Sequence, residues 1–457
     1  MGTDTIVAIA TALTNSGLGI IRISGEEAIE TADKVISLKS GKKLFACDSH
    51  TIHYGFVKDG ERIVDEVMVA LMKAPKSYTR EDTVEINCHG GVLVMQLIMG
   101  LLLKKGARPA EPGEFTKRAF LNGRIDLAQA ESVMDVIHAQ NEFALKASIE
   151  QLKGAVSENV RKLREEILYE LAYIESAMDD PEHFELEDYG NQLLVKTDRI
   201  LGEVKRLLYN AENGSILKEG IRTVIVGKPN SGKSSLLNAL LGKERAIVTD
   251  IAGTTRDAIE EQVRLNEISL NIIDTAGIRA TDDTVEQIGV LKAKEYIGKS
   301  DLVIYVVDAS VPLSGDDFDI VRLIKDRNVV VLLNKSDLET VVTKEEIRVI
   351  LDKTALSVST KYGKGIEQLG CTIEEMFFHG KIGYNDEVYI TNERHKASLR
   401  LAEASLGMVR NSIADGMPED FYTIDLMDAY RELGSVIGES VEDDLVNEIF
   451  SRFCMGK

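Results

Sequence analysis

Residues 227–234 read Gly-Lys-Pro-Asn-Ser-Gly-Lys-Ser, the spacing GxxxxGK[ST], directly after the apolar run TVIVG and directly before SSLLNALL. A strand that enters such a loop and leaves as a helix turns a row of backbone N–H groups onto phosphate oxygens. In that setting Lys233 reaches the β- and γ-phosphates and Ser234 ligates magnesium, while Asn230, Ser231, Gly232 and Ser235 line the same loop. Further along, Asp274-Thr275-Ala276-Gly277 ends the strand SLNIID. There a carboxylate can hold magnesium through water and a glycine N–H can meet the γ-phosphate. Asn334-Lys335-Ser336-Asp337 follows the apolar run VVVLL, and the carboxylate of Asp337 can accept from guanine N1–H and N2–H together. Adenine has no such pair of donors, so the expected base is guanine. Ser359-Thr360-Lys361, after the next strand, is expected to add backbone contacts to the guanine oxygen.

The four elements, in this order, resemble the translation-factor class of GTPases. One departure is informative. The residue after Asp274-Thr275-Ala276-Gly277, often a water-orienting glutamine, is Ile278, which cannot hydrogen-bond water. Asn230 and the segment Thr249-Asp250-Ile251-Ala252-Gly253-Thr254-Thr255-Arg256-Asp257 offer oxygen ligands where a monovalent cation could take the place of an arginine finger. The plainer reading of Asn230 is that it only closes the loop by hydrogen bonds.

These groups need elements to hold them. Around residues 220–380, buried strand-like runs (RTVIVG, SLNIID, DLVIYVVD, NVVVLLN, TALSVS) alternate with amphipathic helices, which predicts a mainly parallel α/β domain carrying the nucleotide site. Residues 1–117 mix short strand patterns (TIVAIA, GIIRIS, DEVMVALM, DTVEINCHGG) with helical stretches, the signature of an α+β domain. From 118 to 219, and again from 381 to 457, apolar residues recur every three or four positions; a helical domain in two parts is expected, with the α/β domain inserted between them.

The chain has 457 residues, 44% hydrophobic and 28% charged, so it is multidomain and globular. Its formal net charge of −21 opposes nucleic acid over most of the surface, leaving a local basic patch or a partner to supply that contact. Cys47, Cys88, Cys371 and Cys454 form no CxxC pair, which predicts neither a disulfide framework nor structural zinc and fits a reducing cytoplasm. The longest apolar run, Val92 to Leu103, is too short to cross a bilayer and is broken by Gln96. The start shows no targeting signal, and the tail Cys454-Met455-Gly456-Lys457 makes a poor prenylation box. A soluble, cytoplasmic protein without a membrane element is expected.

With GIIRISG near the start, His89-Gly90-Gly91, the run RPAEPGEFTKRAFLNGRIDLAQAE from Arg108 to Glu131, the GTPase elements and the terminal FCMGK, the whole chain resembles the MnmE (TrmE) family of tRNA modification GTPases. The resemblance implies an amino-terminal folate-binding α+β domain that dimerises, a helical domain in two segments and an inserted G domain. It implies a homodimer that works in a heterotetramer with the flavoprotein MnmG (GidA). That complex modifies C5 of the wobble uridine of certain tRNAs to an aminomethyl or carboxymethylaminomethyl group. The one-carbon unit comes from 5-formyl- or 5,10-methylene-tetrahydrofolate, and GTP hydrolysis gates the reaction. The rival reading is a ribosome-assembly or signalling GTPase without modification chemistry.

Carried over by motif, the resemblance assigns potassium to Asn230, Thr249, the backbone carbonyl of Ile251 and Thr254, and magnesium to Ser234 and Thr255. It assigns the catalytic glutamate to Glu286, beside Lys233, and folate binding to Arg22, Glu85, Arg124 and Lys457. A carboxylate can pair with the pterin's N–H groups, and cations with the glutamyl carboxylates. Arg124 stands where the family often has lysine, and Thr14 to Gly19 lacks the family's proline and basic residue. Cys454 reads either as a small buried hydrophobe or, beside Gly456 and Lys457, as a functional thiol.

Overall fold

The computed structural model describes residues 4–139, 141–179, 189–242, 261–265, 268–273, 295–378, 390–439, 449–451, 453 and 456. Contacts divide the chain into two units: one of residues 1–137, 151–201 and 398–457, the other of 138–150 and 202–397.

The first unit is built on a seven-stranded sheet, order β3-β4-β5-β6-β2-β1-β7. Its strands are β1 (Ile6–Ile9), β2 (Gly19–Ser24), β3 (Ile36–Leu38), β4 (Thr51–Asp59), β5 (Arg62–Met72), β6 (Thr83–Cys88) and β7 (Arg108–Pro109). Alternation decides which face each side chain serves. In β2, Ile21 and Ile23 enter a core completed by Met95, Ile98 and Leu102 of the helix Val92–Lys104. The most apolar run of the sequence is therefore a core helix with one buried face. Arg22 lies on the opposite face, directly across from Glu85 on β6 and Ala8 on β1. That face is covered by Phe115, which packs with Ile6, Ala8 and Ala110.

Downstream, helices Glu114–Leu121, Leu127–His138, Glu142–Leu152 and Ala155–Asp179 follow one another, and Tyr189–Glu219, Glu393–Ala414 and Glu419–Ile437 complete the helical part. In the first unit, Arg164 on Ala155–Asp179 stacks 4.0 Å over the ring of Tyr430 and donates to its carbonyl, which locks that helix to Glu419–Ile437. The carboxy-terminal Phe450 and Phe453 join Leu127, Ala130 and Val133 in a small core beside Phe120. Their approach depends on Gly113: its φ is +68°, and a Cβ there would lie 2.6 Å from the Phe450 carbonyl oxygen.

The second unit holds a six-stranded sheet, order β13-β12-β11-β8-β10-β9. Its strands are β8 (Ile221–Val226), β9 (Glu261–Leu265), β10 (Ile268–Ile272), β11 (Leu302–Asp308), β12 (Val329–Asn334) and β13 (Ala355–Ser357). All pair in parallel except β9, which runs antiparallel to β10. Alternate residues feed two cores: Ile304 and Val306 one, Val303, Tyr305 and Val307 the other. Continuous apolar runs are what a sheet covered on both faces requires. β3, β4, β7 and β9 had no counterpart among the strand patterns read above: β3, β7 and β9 are short, and in β4 the apolar Ile52 and Tyr54 are exposed while Val57 is buried.

Gly113→Ala is expected to destabilise the first unit by about 1–3 kcal/mol through the left-handed backbone and the contact with Phe450. Urea unfolding of the full chain followed by tyrosine fluorescence measures this; coincident midpoints for variant and wild type contradict it.

Candidate functional site

The phosphate loop closes the carboxyl end of β8, where an open parallel sheet places ligands. Gly227 takes φ +153°, and a Cβ there would sit 2.3 Å from the Val306 carbonyl on β11. Asn230 adopts a left-handed φ of 59°, which asparagine tolerates. Gly232, φ +101°, starts the helix Lys233–Leu241; its Cβ would lie 2.0 Å from Asn334 Nδ2. That space is taken because Asn334 bridges two loops. Its Nδ2 donates to the Ser231 carbonyl at 2.8 Å, and its Oδ1 accepts from the Thr360 N–H at 3.1 Å. The loop of Ser231 and the loop of Thr360 are thus set against each other by one amide.

The ammonium of Lys233 donates to the carbonyls of Gly227 (2.9 Å) and Lys228 (2.8 Å), and burial pushes it below the ordinary lysine range. Ser231 Oγ is buried with no hydrogen-bond partner. A cradle of glycines that admits no Cβ, a cation held on carbonyls and an orphaned buried hydroxyl fit a polyphosphate with its counter-ion. Asp337 accepts from Ser359 Oγ at 2.6 Å, and that bond holds its carboxyl below the usual range. An ionised Asp337 is acceptor-only, the state that two guanine N–H groups need. Lys335, with φ 59°, extends to Asp308 at the end of β11 (2.5 Å), and Lys361 lies 5.3 Å from the Tyr362 ring centroid. Ser234 and Ser235 lie in the first turn of the helix after the loop.

One support of this site escaped the sequence reading. Lys228, inside the loop, pairs with Asp317 Oδ2 at 2.6 Å, and Asp317 also accepts from the Tyr305 hydroxyl at 2.9 Å and the Ser314 N–H at 2.8 Å. Asp317 is 1% exposed. Burial raises its pKa, but Lys228 and the hydrogen bonds prevail and hold the carboxyl below the usual range. Ser314 and Asp317 show a capping-box spacing at the start of the helix Gly315–Ile324, but nothing local points to Lys228, 89 positions upstream.

In the first unit Arg22 donates through Nε to Glu85 at 2.8 Å and through Nη1 to the Gly456 carbonyl at 3.1 Å. Its guanidinium carbon lies 5.7 Å from the Tyr78 ring centroid and 5.6 Å from that of Phe115. The guanidinium of Arg124 stands 4.7 Å from the Tyr78 ring as well. Arg22, Glu85 and Arg124 therefore share one locality, joined by Tyr78 and Phe115, which the sequence did not single out. Gly456 has φ +88°, and its Cβ would meet the Ile9 carbonyl at 2.8 Å, so Gly456 sits against β1.

Thr249, Asp250, Ile251, Ala252, Gly253, Thr254 and Thr255, Asp274, Thr275, Ala276 and Gly277, Glu286, Cys454 and Lys457 lie outside the described residues. Among the described residues no helix is long and apolar enough to cross a membrane.

The family profile described as GTP-binding protein TrmE N-terminus matches residues 5–124, and that described as MnmE helical domain matches 127–454. A protein of Lachnoclostridium phytofermentans named tRNA modification GTPase MnmE is 57% identical, with 100% of each chain covered. Proteins of the same name from Clostridioides difficile and Bacillus subtilis are 48% and 44% identical, over 99% of this chain and 99% and 100% of theirs. Among solved structures, the G domain of the T. maritima FeoB iron transporter is 23% identical over 35% of this chain and 98% of that one, with a TM-score of 0.26.

Asp317→Asn should cost roughly 3 kcal/mol at neutral pH by leaving Lys228 half-buried without its counter-charge. A depressed carboxyl pKa stabilises above the unfolded value of 3.8 and ceases to do so as the pH falls through the folded value. The gap between variant and wild type in urea midpoint should therefore be full near pH 7 and close below 3.8. A gap that keeps its size as the pH falls well below 3.8, past the folded value, would contradict the pair.

Proposed function

Since the chain belongs to the MnmE family of tRNA modification GTPases, we propose that its hydrolysis of GTP gates a folate-dependent change at C5 of the wobble uridine. The protein hydrolyses GTP and takes part in tRNA modification. The finer reading is an aminomethyl or carboxymethylaminomethyl product made in a cytoplasmic heterotetramer with the flavoprotein MnmG (GidA). The observation that carries it is Arg22. It is held by Glu85, flanked by Tyr78 and Phe115 and bonded to the Gly456 carbonyl, so Gly456 meets the Arg22–Glu85 pair in one place.

In this reading Glu85 accepts from the pterin's N–H groups, Arg22 fixes that carboxylate, and Arg124 with Lys457 meets the anionic end. A reduced folate bound there supplies the one-carbon unit. Cys454, two residues from Gly456, would act in or beside the modification site. In the nucleotide site Lys233 neutralises the β- and γ-oxygens, Asp337 selects guanine, and Ser234 with Thr255 would hold magnesium. Asn230, Thr249, the Ile251 carbonyl and Thr254 would hold potassium, which when bound would supply positive charge to the phosphates. Glu286 orients the attacking water, since Ile278 has no group to do so. The homodimer reading is supported by the outer face of the β4–β5 hairpin, where Ile52 is 65% and Met68 51% exposed and Met68 faces Tyr54 across the strands.

GTP turnover should rise roughly 10-fold or more in potassium over sodium at equal ionic strength, and Asn230→Ala should remove the difference. Equal rates in the two salts would dispose of the cation. Separately, Arg22→Ala should keep GTP turnover near the wild-type rate while wobble modification, read by mass spectrometry of tRNA from a complemented deletion strain, falls at least about 10-fold. Full modification by this variant would remove Arg22 from the folate site, whereas a deletion strain that keeps the wobble modification would favour the ribosome-assembly or signalling reading.

A further inference from the structure

Beside the Arg22–Glu85 pair lies a cleft of about 410 Å³, open to solvent, to which His50, Lys76, Tyr78, Arg80 and Arg124 contribute. The ring of Tyr78 is common to the two places: Arg22 lies 5.7 Å from its centroid and Arg124 4.7 Å. The ring is fixed by the hydrogen bond of its hydroxyl with Thr116 Oγ1 at 2.9 Å. At the Arg22 end the guanidinium is already engaged by Glu85 and the Gly456 carbonyl. An elongated ligand held there has this cleft beside it to extend into.

The cleft's charge is set against that of the molecule. In a chain of net charge −21, three cations and an imidazole meet here, and no carboxylate lines the cleft among the described residues. Such local concentration focuses a positive field on an anionic ligand. The backbone contributes independently. His50 and Arg80 both take φ 62°, a left-handed conformation that non-glycine residues adopt at a cost, and both line this cleft. Each is held there: the His50 N–H donates to the Leu71 carbonyl at 2.7 Å, and Arg80 Nη1 to the Asn122 carbonyl at 2.9 Å.

We infer that this cleft receives the γ-linked oligoglutamyl tail of a reduced folate, so that the protein selects polyglutamylated over monoglutamyl folate. The inference rests on the folate reading of the Arg22–Glu85 site. Each added γ-glutamyl residue brings one carboxylate on a short flexible spacer, which suits separate cations around an open cleft. The volume lies within the roughly 300–1,000 Å³ usual for small-molecule sites. An RNA backbone would instead call for an extended basic strip.

Calorimetric titration of the full-length protein with 5-formyl-tetrahydrofolate as mono- and triglutamate tests this. The triglutamate should bind roughly 3- to 30-fold more tightly at low salt, and the advantage should shrink at about 0.5 M salt, where exposed ion pairs are screened. The double variant Lys76→Ala, Arg80→Asn, in which asparagine tolerates the left-handed backbone, should lose the preference and keep monoglutamate affinity within about twofold. Retained monoglutamate binding also shows that the variant is folded. Equal affinities of the wild type for the two ligands overturn the inference alone, as does a variant that keeps the preference or that loses tRNA binding instead. Failure of either folate to bind the wild type overturns the folate reading and this inference with it.

Discussion

The carbonyl of Gly456 accepts from Arg22 across 434 residues of sequence, and most of the first unit's arrangement follows from that closure. For the tail to reach β1 and β2, Phe450 and Phe453 must seat on Leu127 and Val133, and Gly113 must leave room for the Phe450 carbonyl. Gly438 meets the same demand at the end of its helix, where a Cβ would lie 2.6 Å from that of Leu127. Between the two ends the chain leaves the first unit twice, at 138–150 and at 202–397, and each time returns to it. The site around Arg22 is therefore complete only when the last residues of the chain are in place.

Beneath that site lies a network of charges that explains the run from Arg108 to Arg118. Glu114, of the Pro-Gly-Glu-Phe turn, accepts from Arg108 and Arg118, and Arg118 also reaches Asp4 and Glu81. Glu114 and Arg118 are 7% and 8% exposed, so neither could be buried without the other. Burial raises the pKa of Glu114, but the two guanidiniums and the Glu111 N–H overcome it and keep the carboxylate ionised. Ser24 and Thr79 extend the network by hydrogen bonds to Glu81 and to each other. A network of this kind fixes orientation more than it adds stability; here it holds the helix carrying Phe115 against the face from which Arg22 projects.

In the second unit two contacts do comparable work. The amide of Asn334 holds the phosphate loop to the Ser359–Lys361 loop, and the Lys228–Asp317 pair holds the same phosphate loop to the helix Gly315–Ile324. Preorganised backbone donors are worth more than mobile ones because no reorganisation accompanies nucleotide binding. Both units thus use buried polar contacts between segments distant in sequence to stiffen short loops.

What the sequence determined by itself was whatever is encoded locally. The phosphate loop needs eight consecutive residues, and β11 and β12 announce themselves as continuous apolar runs because both sides of that sheet are covered. β4 was not legible, since a half-exposed strand reading Thr-Ile-His-Tyr-Gly-Phe-Val-Lys-Asp has no clean period. Arg22 and Glu85 could be singled out only by family resemblance, because a charged residue within a strand pattern looks like any solvent-facing position. Only the tertiary structure put Tyr78 and Phe115 around Arg22, Asp317 on Lys228 and the Gly456 carbonyl within reach of β2. The reason is physical: helix, strand and turn preferences act over a few residues, whereas the pairing of a buried charge is settled by whichever partner packing delivers to it.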